Sequence, residues 1–454
     1  MEKLNRRDFF KTSSSALVAL ALTGCAIEKQ GEANEIKPYV PNLDFVECDF
    51  LIHRGTICDG NNTAPFIGDI AIKGDKILKV DKTIATKGAK IIDARGKIVA
   101  PGFIDIHTHT ENYIANGGTA EMILLQGVTT QIGGNCGASE LEIGPLLDRL
   151  DGKPINYGMF AGYRELRRMV VENRNIRPTY QQTQKMFGIL EKNLKDGAFG
   201  LSIALEYWPQ GYASTEEIIE LGHVLAYYGG ICALHLRSEG DKIRMALEEA
   251  LEIASQTNLA MQHSHIKIAH SRNWYKIDEI LKTIEDAQKQ GIDIKADAYG
   301  YEFSSNDLHD EYYSMSEENV ERILMHPLVM IGSDSGLNSY GGAIHPRTYG
   351  NYPRIISKYV REKKIFPIET AIHKMTVMPA ERLKLKDRGR IANGLQADIV
   401  IFDLNEINDR ATREHTNIYA QGVENVLVNG RLAVKNGIPT GIASGVALRK
   451  EEVS

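Results

Sequence analysis

Two histidines separated by one residue, His107 and His109, stand at the end of the apolar run Ile98 to Ile106. Side chains of an extended strand alternate between its faces, so both imidazoles project to one side and can grip one metal ion. Other candidates also close apolar runs: Cys136 in Gly133-Gly134-Asn135-Cys136-Gly137, His235 in His235-Leu236-Arg237-Ser238-Glu239, His265 in His263-Ser264-His265-Ile266-Lys267, and Asp334 in Gly332-Ser333-Asp334. A thiolate, imidazoles and a carboxylate form a soft-to-borderline donor set suited to Zn²⁺. Alone, a histidine is more often a packed or surface residue and a cysteine a small buried hydrophobe. Their recurrence at successive strand ends is what points to a metal centre, and zinc in such a site activates water and polarises carbonyls.

The elements that must position these groups alternate. Candidate strands cover Ile98–His107, Val128–Gly133, Ile155–Ala161, Phe199–Leu205, Ile231–Leu236, Met261–His265, Ile292–Ala298 and Leu328–Ser333. Helical periodicity fills most gaps, as in Thr215–Tyr228, Lys242–Ala254, Ile277–Lys289 and Ile368–Met375. In the first of these Ser214 or Thr215 can cap, Glu216 and Glu217 suit the positive helix end, and Gly229-Gly230 stops it. Eight such units predict an α/β fold, a (β/α)8 TIM-type barrel over residues 101–387 whose active site lies at the C-terminal ends of the strands. No Gly-rich phosphate loop follows the first strand, which argues against a dinucleotide site. Short strands between Gly-containing turns occupy both flanks, predicting one small β-sandwich built from residues 48–100 and 388–450.

At 454 residues, 43% hydrophobic and 25% charged, the chain is long enough for both domains. A net charge of -6 gives no electrostatic footprint for nucleic acid. Five scattered cysteines make no disulfide framework, although a Cys48–Cys58 bridge stays open. Near the start, Arg6-Arg7 precedes a short apolar run, Ala16 to Leu22, and then Leu22-Thr23-Gly24-Cys25. That pattern reads as a twin-arginine lipoprotein signal over residues 1–25, with acylated Cys25 as membrane anchor and a polar tether over 26–47. The expected location is the cell envelope, on the non-cytosolic side of a membrane. Oligomeric state is left open.

From Cys48 to Arg449 the chain resembles the N-acyl-D-amino-acid deacylases (D-aminoacylases) of the amidohydrolase superfamily. The motifs concerned are Pro101–His109, Gly127-Val128-Thr129-Thr130 with Asn135-Cys136-Gly137, Gly197–Ser202, His235–Glu239, Ser264–Lys267, Gly332-Ser333-Asp334 and His345–Gly350. The resemblance implies zinc held tightly by Cys136, His235 and His265, and a second, weaker position formed by His107, His109 and Asp334. It implies Asp334 as the group that moves the proton between water and leaving amine. It also implies Arg347, Lys267, Tyr299 and Ser305 as binders of the α-carboxylate of an N-acyl amino acid. Arg237, two residues beyond a ligand, is a further candidate, with pairing to Glu239 as its structural alternative.

Departures from the family's pattern touch the pocket wall: Asp297-Ala298-Tyr299-Gly300-Tyr301, Tyr163, Ile344, and a short Glu302–Met325 stretch. The expected reaction is zinc-dependent hydrolysis of N-acyl-D-amino acids. Hydrolysis of a dipeptide or a cyclic amide, and a non-catalytic scaffold, are the alternatives; the last predicts lost ligands.

Overall fold

The computed structural model describes residues 45–305, 314–338 and 341–451. The expected signal over 1–25, with Cys25, and the tether up to residue 44 lie outside the described residues. Among the described residues no helix is long and apolar enough to cross a membrane.

The strands form a (β/α)8 barrel. In chain order they are Phe103–Asp105 continued by Thr108–His109, Val128–Gly133, Asn156–Met159 continued by Ala161–Gly162, Gly200–Ala204, Ile231–His235, Ala260–His263, Ile294–Ala298, and Val329–Ile331 continued by Ser335–Gly336. Neighbours run parallel throughout. Ser335 pairs with Thr108 and Gly336 with His109, which closes the ring between last and first strands. Asp105 reinforces the seam by accepting from Ser333 N–H at 2.9 Å and Ser333 Oγ–H at 2.5 Å. Burial pushes its carboxyl up to about 6, and the serine bonds oppose that push.

The helices outside follow the apolar periodicity. Thr215–Tyr227 turns Ile218, Leu221 and Leu225 inward, and Ser214 caps it by accepting the Glu217 N–H. Ile243–Thr257, Ile277–Lys289 and Ile368–Met375 match expectation to within a turn.

The run read as one strand, Ile98 to His107, is divided between two sheets. Ile98–Pro101 lies antiparallel to Ile399–Phe402, whereas Phe103–Asp105 joins the barrel beside Val128–Gly133. Gly102 makes the crossing, and a Cβ there would sit 2.2 Å from Thr129 Oγ1. Both halves are fully buried and, Asp105 apart, apolar, so the pattern did not mark the division. The nine-stranded sheet that receives Ile98–Pro101 draws strands from both ends of the chain, from Phe50–Ile57 through Ile438–Pro439. It closes around its own core of Ile52, Ile70, Val99, Ile399, Ile401 and Leu427.

A Cys48–Cys58 bridge is not formed; both are free, buried thiols. The strand Phe50–Ile57 runs extended between them, at about 3.3 Å per residue, far beyond disulfide reach.

Candidate metal centre

Three of the expected ligands share an unusual backbone. Cys136 has φ 51°, His265 φ 35° and Asp334 φ 51°, all in the left-handed region that costs a residue with a Cβ about 1–2 kcal/mol. Each lies just past the end of a barrel strand, and each is held there. Gln210 Nε2 donates to the Cys136 carbonyl at 3.1 Å, and the next amide, Gly137 N–H, donates to Ser202 Oγ at 2.9 Å. Gly137 is compulsory, because a Cβ would meet Gln210 Oε1 at 2.0 Å. The His265 N–H is taken by Asp297 Oδ1 at 2.8 Å, and the Asp334 N–H by the His107 carbonyl at 2.9 Å.

This corrects the extent of the sixth strand, expected over Met261–His265. The strand stops at His263, and His265 reaches the rim through its turned backbone rather than by period-two register. His263 stays below, buried, with neither ring nitrogen hydrogen-bonded among the described residues, and burial pushes its pKa down to about 3.

The candidate ligands come together in three overlapping groups: His107–Cys136–His265, His107–His109–Asp334 and His235–Glu239–His265. Cys136 Sγ lies 3.5 Å from both His107 Nε2 and His265 Nε2. Tetrahedral zinc with ordinary Zn–S and Zn–N bonds separates sulfur from nitrogen by about 3.6 Å, so this spacing fits the ion. Asp334 Oδ1 is 3.1 Å from His109 Nε2 and 3.6 Å from His107 Nε2, which likewise suits shared ligation. His235 Nδ1 reaches the cluster through His265 Nε2 at 2.9 Å. The compact thiolate group therefore contains His107, where the resemblance implied His235.

The electrostatics favour the ligand forms of the acids. Burial opposes ionisation of Cys136, but His107, aided by His109 and His235, draws the thiol well below its ordinary value. Burial pushes the Asp334 carboxyl up, but Arg347, His265, His109 and His107 together hold it well below the carboxylate range. The imidazoles respond in the opposite sense. Against burial, Asp334 and Cys136 raise His109 to about 9, and Glu239 with Cys136 raises His235 to about 10. A cation entering here must displace protons.

Behind three of the imidazoles stands a carboxylate, and composition did not single these out. His107 Nδ1 faces Asp297 Oδ1 at 3.1 Å, His235 Nε2 faces Glu206 Oε2 at 3.0 Å, and His265 Nδ1 faces Glu239 Oε1 at 3.0 Å. Each carboxylate accepts the proton of the distal nitrogen and leaves the other nitrogen, which faces the cluster, free to ligate. Glu206, Glu239 and Asp297 lie far apart in the chain, so only the fold could reveal their common task.

Of the expected substrate binders, Arg347 and Tyr299 are placed together: the Arg347 guanidinium carbon lies 4.5 Å from the Tyr299 ring centre. Arg347 is spent on one side, with Nη2 2.6 Å from Asp334 Oδ2 and Nε donating to the Asp334 carbonyl at 2.6 Å. Lys267 Nζ lies 2.8 Å from both Glu239 oxygens and 2.9 Å from His265 Nδ1. With the His265 proton on Nδ1, one Lys267 N–H at most is left for a ligand. Ser305 is half-buried on the segment after Tyr299. Arg237 is mostly engaged away from the cluster: Glu249, rather than Glu239, pairs with it through Nε and Nη2 at 2.8 Å, and the Gly211 and Ala213 carbonyls accept from Nη1 and Nη2, so four of its five N–H donors are used.

A cavity of about 580 Å³ opens beside the cluster, with Glu206, Glu239 and Lys267 in its wall. A larger groove of about 860 Å³, between Tyr180–Lys195 and Thr215–Tyr227, contains none of the candidate ligands.

Comparison with known proteins follows the same lines. The amidohydrolase family matches residues 90–155 and 241–434. A D-aminoacylase of Alcaligenes xylosoxydans xylosoxydans is 32% identical, over 88% of this chain and 98% of that protein. A solved D-aminoacylase, described by a binuclear metal centre with one-metal activation and second-metal attenuation, superposes with a TM-score of 0.83 at 30% identity, covering 88% of this chain and 100% of that one. An N-acyl-D-glutamate deacylase from Bordetella bronchiseptica, solved with zinc and a phosphonate mimic of the tetrahedral intermediate, gives 0.82 at 28% identity, covering 89% and 100%.

Proposed function

Since the chain belongs to the amidohydrolase family, and within it to the D-aminoacylases, we propose that it hydrolyses the amide bond of N-acyl-D-amino acids, releasing a carboxylate and the free D-amino acid. By the family resemblance zinc would be held by Cys136, His235 and His265, with His107, His109 and Asp334 around a second position, and would supply water activation and carbonyl polarisation; His107 stands within ligating distance of both Cys136 and His265 and is the further candidate for the first position.

One observation carries the substrate class. Arg347 Nη1 and Tyr299 Oη are both buried, and neither has a hydrogen-bond partner among the described residues. Leaving such donors unpaired costs about 1–3 kcal/mol each, a cost that a bound carboxylate removes. An N-acyl amino acid brings that carboxylate next to the scissile amide.

The remaining steps follow from the side chains. Asp334 accepts the proton of the attacking water and returns it to the leaving amine. Its low proton affinity is set in part by Arg347, so a substrate carboxylate that shares the guanidinium loosens that hold and makes Asp334 more basic when substrate is in place. Tyr299 donates to the same carboxylate. Glu239, held in place by Lys267, accepts the His265 Nδ1 proton and so fixes its tautomer.

The reading is tested with zinc-replete protein and paired N-acetyl-D- and N-acetyl-L-amino acids. We expect the D series to be preferred by roughly 10²-fold in kcat/KM; equal turnover, or none, defeats it. Arg347→Met should lower kcat/KM for carboxylate-bearing substrates by roughly 10²-fold or more, because a buried charge partner is lost. An unchanged specificity constant would take Arg347 out of the site.

The location is proposed on sequence grounds: export by the twin-arginine route and anchoring through acylated Cys25, as supported by Arg6-Arg7 and Leu22–Cys25. Cys25→Ala should shift the protein from the membrane to the soluble fraction, and unaltered partitioning would refute the anchor.

A further inference from the structure

The two donors assigned to the substrate carboxylate sit on different stretches of chain. Tyr299 follows the seventh barrel strand, and Arg347 opens the helix Arg347–Arg354. Resting on the functional reading above, we infer that His345 is a positioning residue for this carboxylate cradle, its neutral ring locking the Tyr299 segment to the Arg347 turn.

His345 is completely buried. Its Nδ1 accepts the backbone N–H of Arg347 at 3.0 Å, so that nitrogen carries no proton. The proton is therefore on Nε2, which donates to the Phe303 carbonyl at 3.1 Å. One imidazole thus holds the main chain of both segments. The alternatives fail on hydrogen-bond chemistry: an imidazolium sets Nδ1–H against the Arg347 N–H, and the other tautomer also faces the Phe303 oxygen with a lone pair. The surroundings agree, since burial and the Arg347 charge both disfavour a charged ring.

Packing fixes the ring plane as well. The Phe303 ring centre lies 4.5 Å away, Tyr301 5.2 Å and Tyr299 6.3 Å. Arg347 enters its helix one residue after Pro346, so the amide that His345 grips sets the direction in which the guanidinium leaves the backbone. From there it covers the Tyr299 face and keeps Nη1 open. The two segments have other ties: Gly300 N–H donates to Asn351 Oδ1 at 2.9 Å, and Arg354 Nε donates to the Gly300 carbonyl at 2.6 Å. These hold the fold and leave His345 with the finer task of aim. Its hydrogen bonds and ring contacts among the described residues go to Arg347, Tyr299, Tyr301 and Phe303 and not to a candidate metal ligand, so its loss should act through Arg347, first on substrate binding and less on Asp334 through the Arg347–Asp334 pair.

The test compares His345→Leu with His345→Gln, whose amide can offer both an acceptor and a donor. Each is assayed on an N-acetyl-D-amino acid that the native enzyme accepts and on its α-carboxamide, with zinc content measured in parallel. A misplacement on the order of 1 Å costs up to about a hundredfold, so in His345→Leu we expect KM for the acid to rise at least about tenfold, with zinc content kept and kcat changed by a smaller factor than KM. Preference for acid over carboxamide should fall by a similar factor, and His345→Gln should recover most of both. A folded, zinc-loaded His345→Leu with native KM and native preference overturns the role of His345.

Should neither variant fold, the ring nitrogen resonances of the native, zinc-loaded protein decide. An Nε2–H tautomer that does not titrate between about pH 5 and 8 supports the assignment, and an Nδ1–H tautomer or a titrating ring overturns it. The premise fails separately: a native enzyme with no preference for the acid over its carboxamide refutes the carboxylate cradle itself.

Discussion

Replacing Cys136 by alanine is expected to strip the tight zinc and abolish hydrolysis together. Cys136 supplies the one thiolate of the cluster, drawn into its ionised form by the imidazoles around it, and it lies 3.5 Å from two of them. Without it those imidazoles repel one another and no soft donor is left to hold the ion. Metal polarisation and water activation lower the barrier by several kcal/mol, and each 1.4 kcal/mol is about tenfold, so a loss of roughly 10³-fold or more in kcat/KM follows. Metal analysis and kinetics on the same sample check it. A protein that keeps a full equivalent of zinc and at least a tenth of its activity would show that the thiolate is not a ligand. The substitution is mild for the fold, since alanine fits the same space and at φ 51° bears only the Cβ cost that cysteine already carries.

Asp334→Asn is expected to lower kcat by about 10²–10⁴-fold, the usual range for a lost proton carrier, with zinc in the tight position kept. Asparagine suits this position sterically, because it tolerates φ 51° as well as aspartate does. What it removes is the charge. Asp334 Oδ2 pairs with Arg347 Nη2 at 2.6 Å, and breaking one side of a buried pair costs about 3–5 kcal/mol unless something replaces it. Here the substrate carboxylate can, so KM should hold or fall while kcat collapses. The double substitution Asp334→Asn with Arg347→Met should then be strongly non-additive. A kcat within threefold of native for the single variant would leave Asp334 as a plain ligand.

Much of the site was legible because ligands need specific atoms. Histidine, cysteine and aspartate at the ends of apolar runs are unusual enough that type and order pointed to zinc, and the eight-unit alternation pointed to a barrel that would gather them. The parts that escaped were relations between segments. Arg237 has the same offset from its histidine as Lys267 has from His265, yet one faces Glu249 and two carbonyls while the other faces Glu239. Glu206 stands in an ordinary loop and becomes the partner of His235 only when the fourth and fifth strands lie side by side.

By itself, then, the sequence determined the barrel with its flanking sheet and the candidate donor set, since these follow from periodicity and side-chain chemistry, which are local, while the hydrolytic class came from the family resemblance. Tertiary structure alone decided where the first strand divides at Gly102, which carboxylate stands behind each imidazole, and which cations remain open to a ligand. Those are contests among groups distant in the chain for one small space, and their outcome is settled by ångström-scale packing that no residue type encodes.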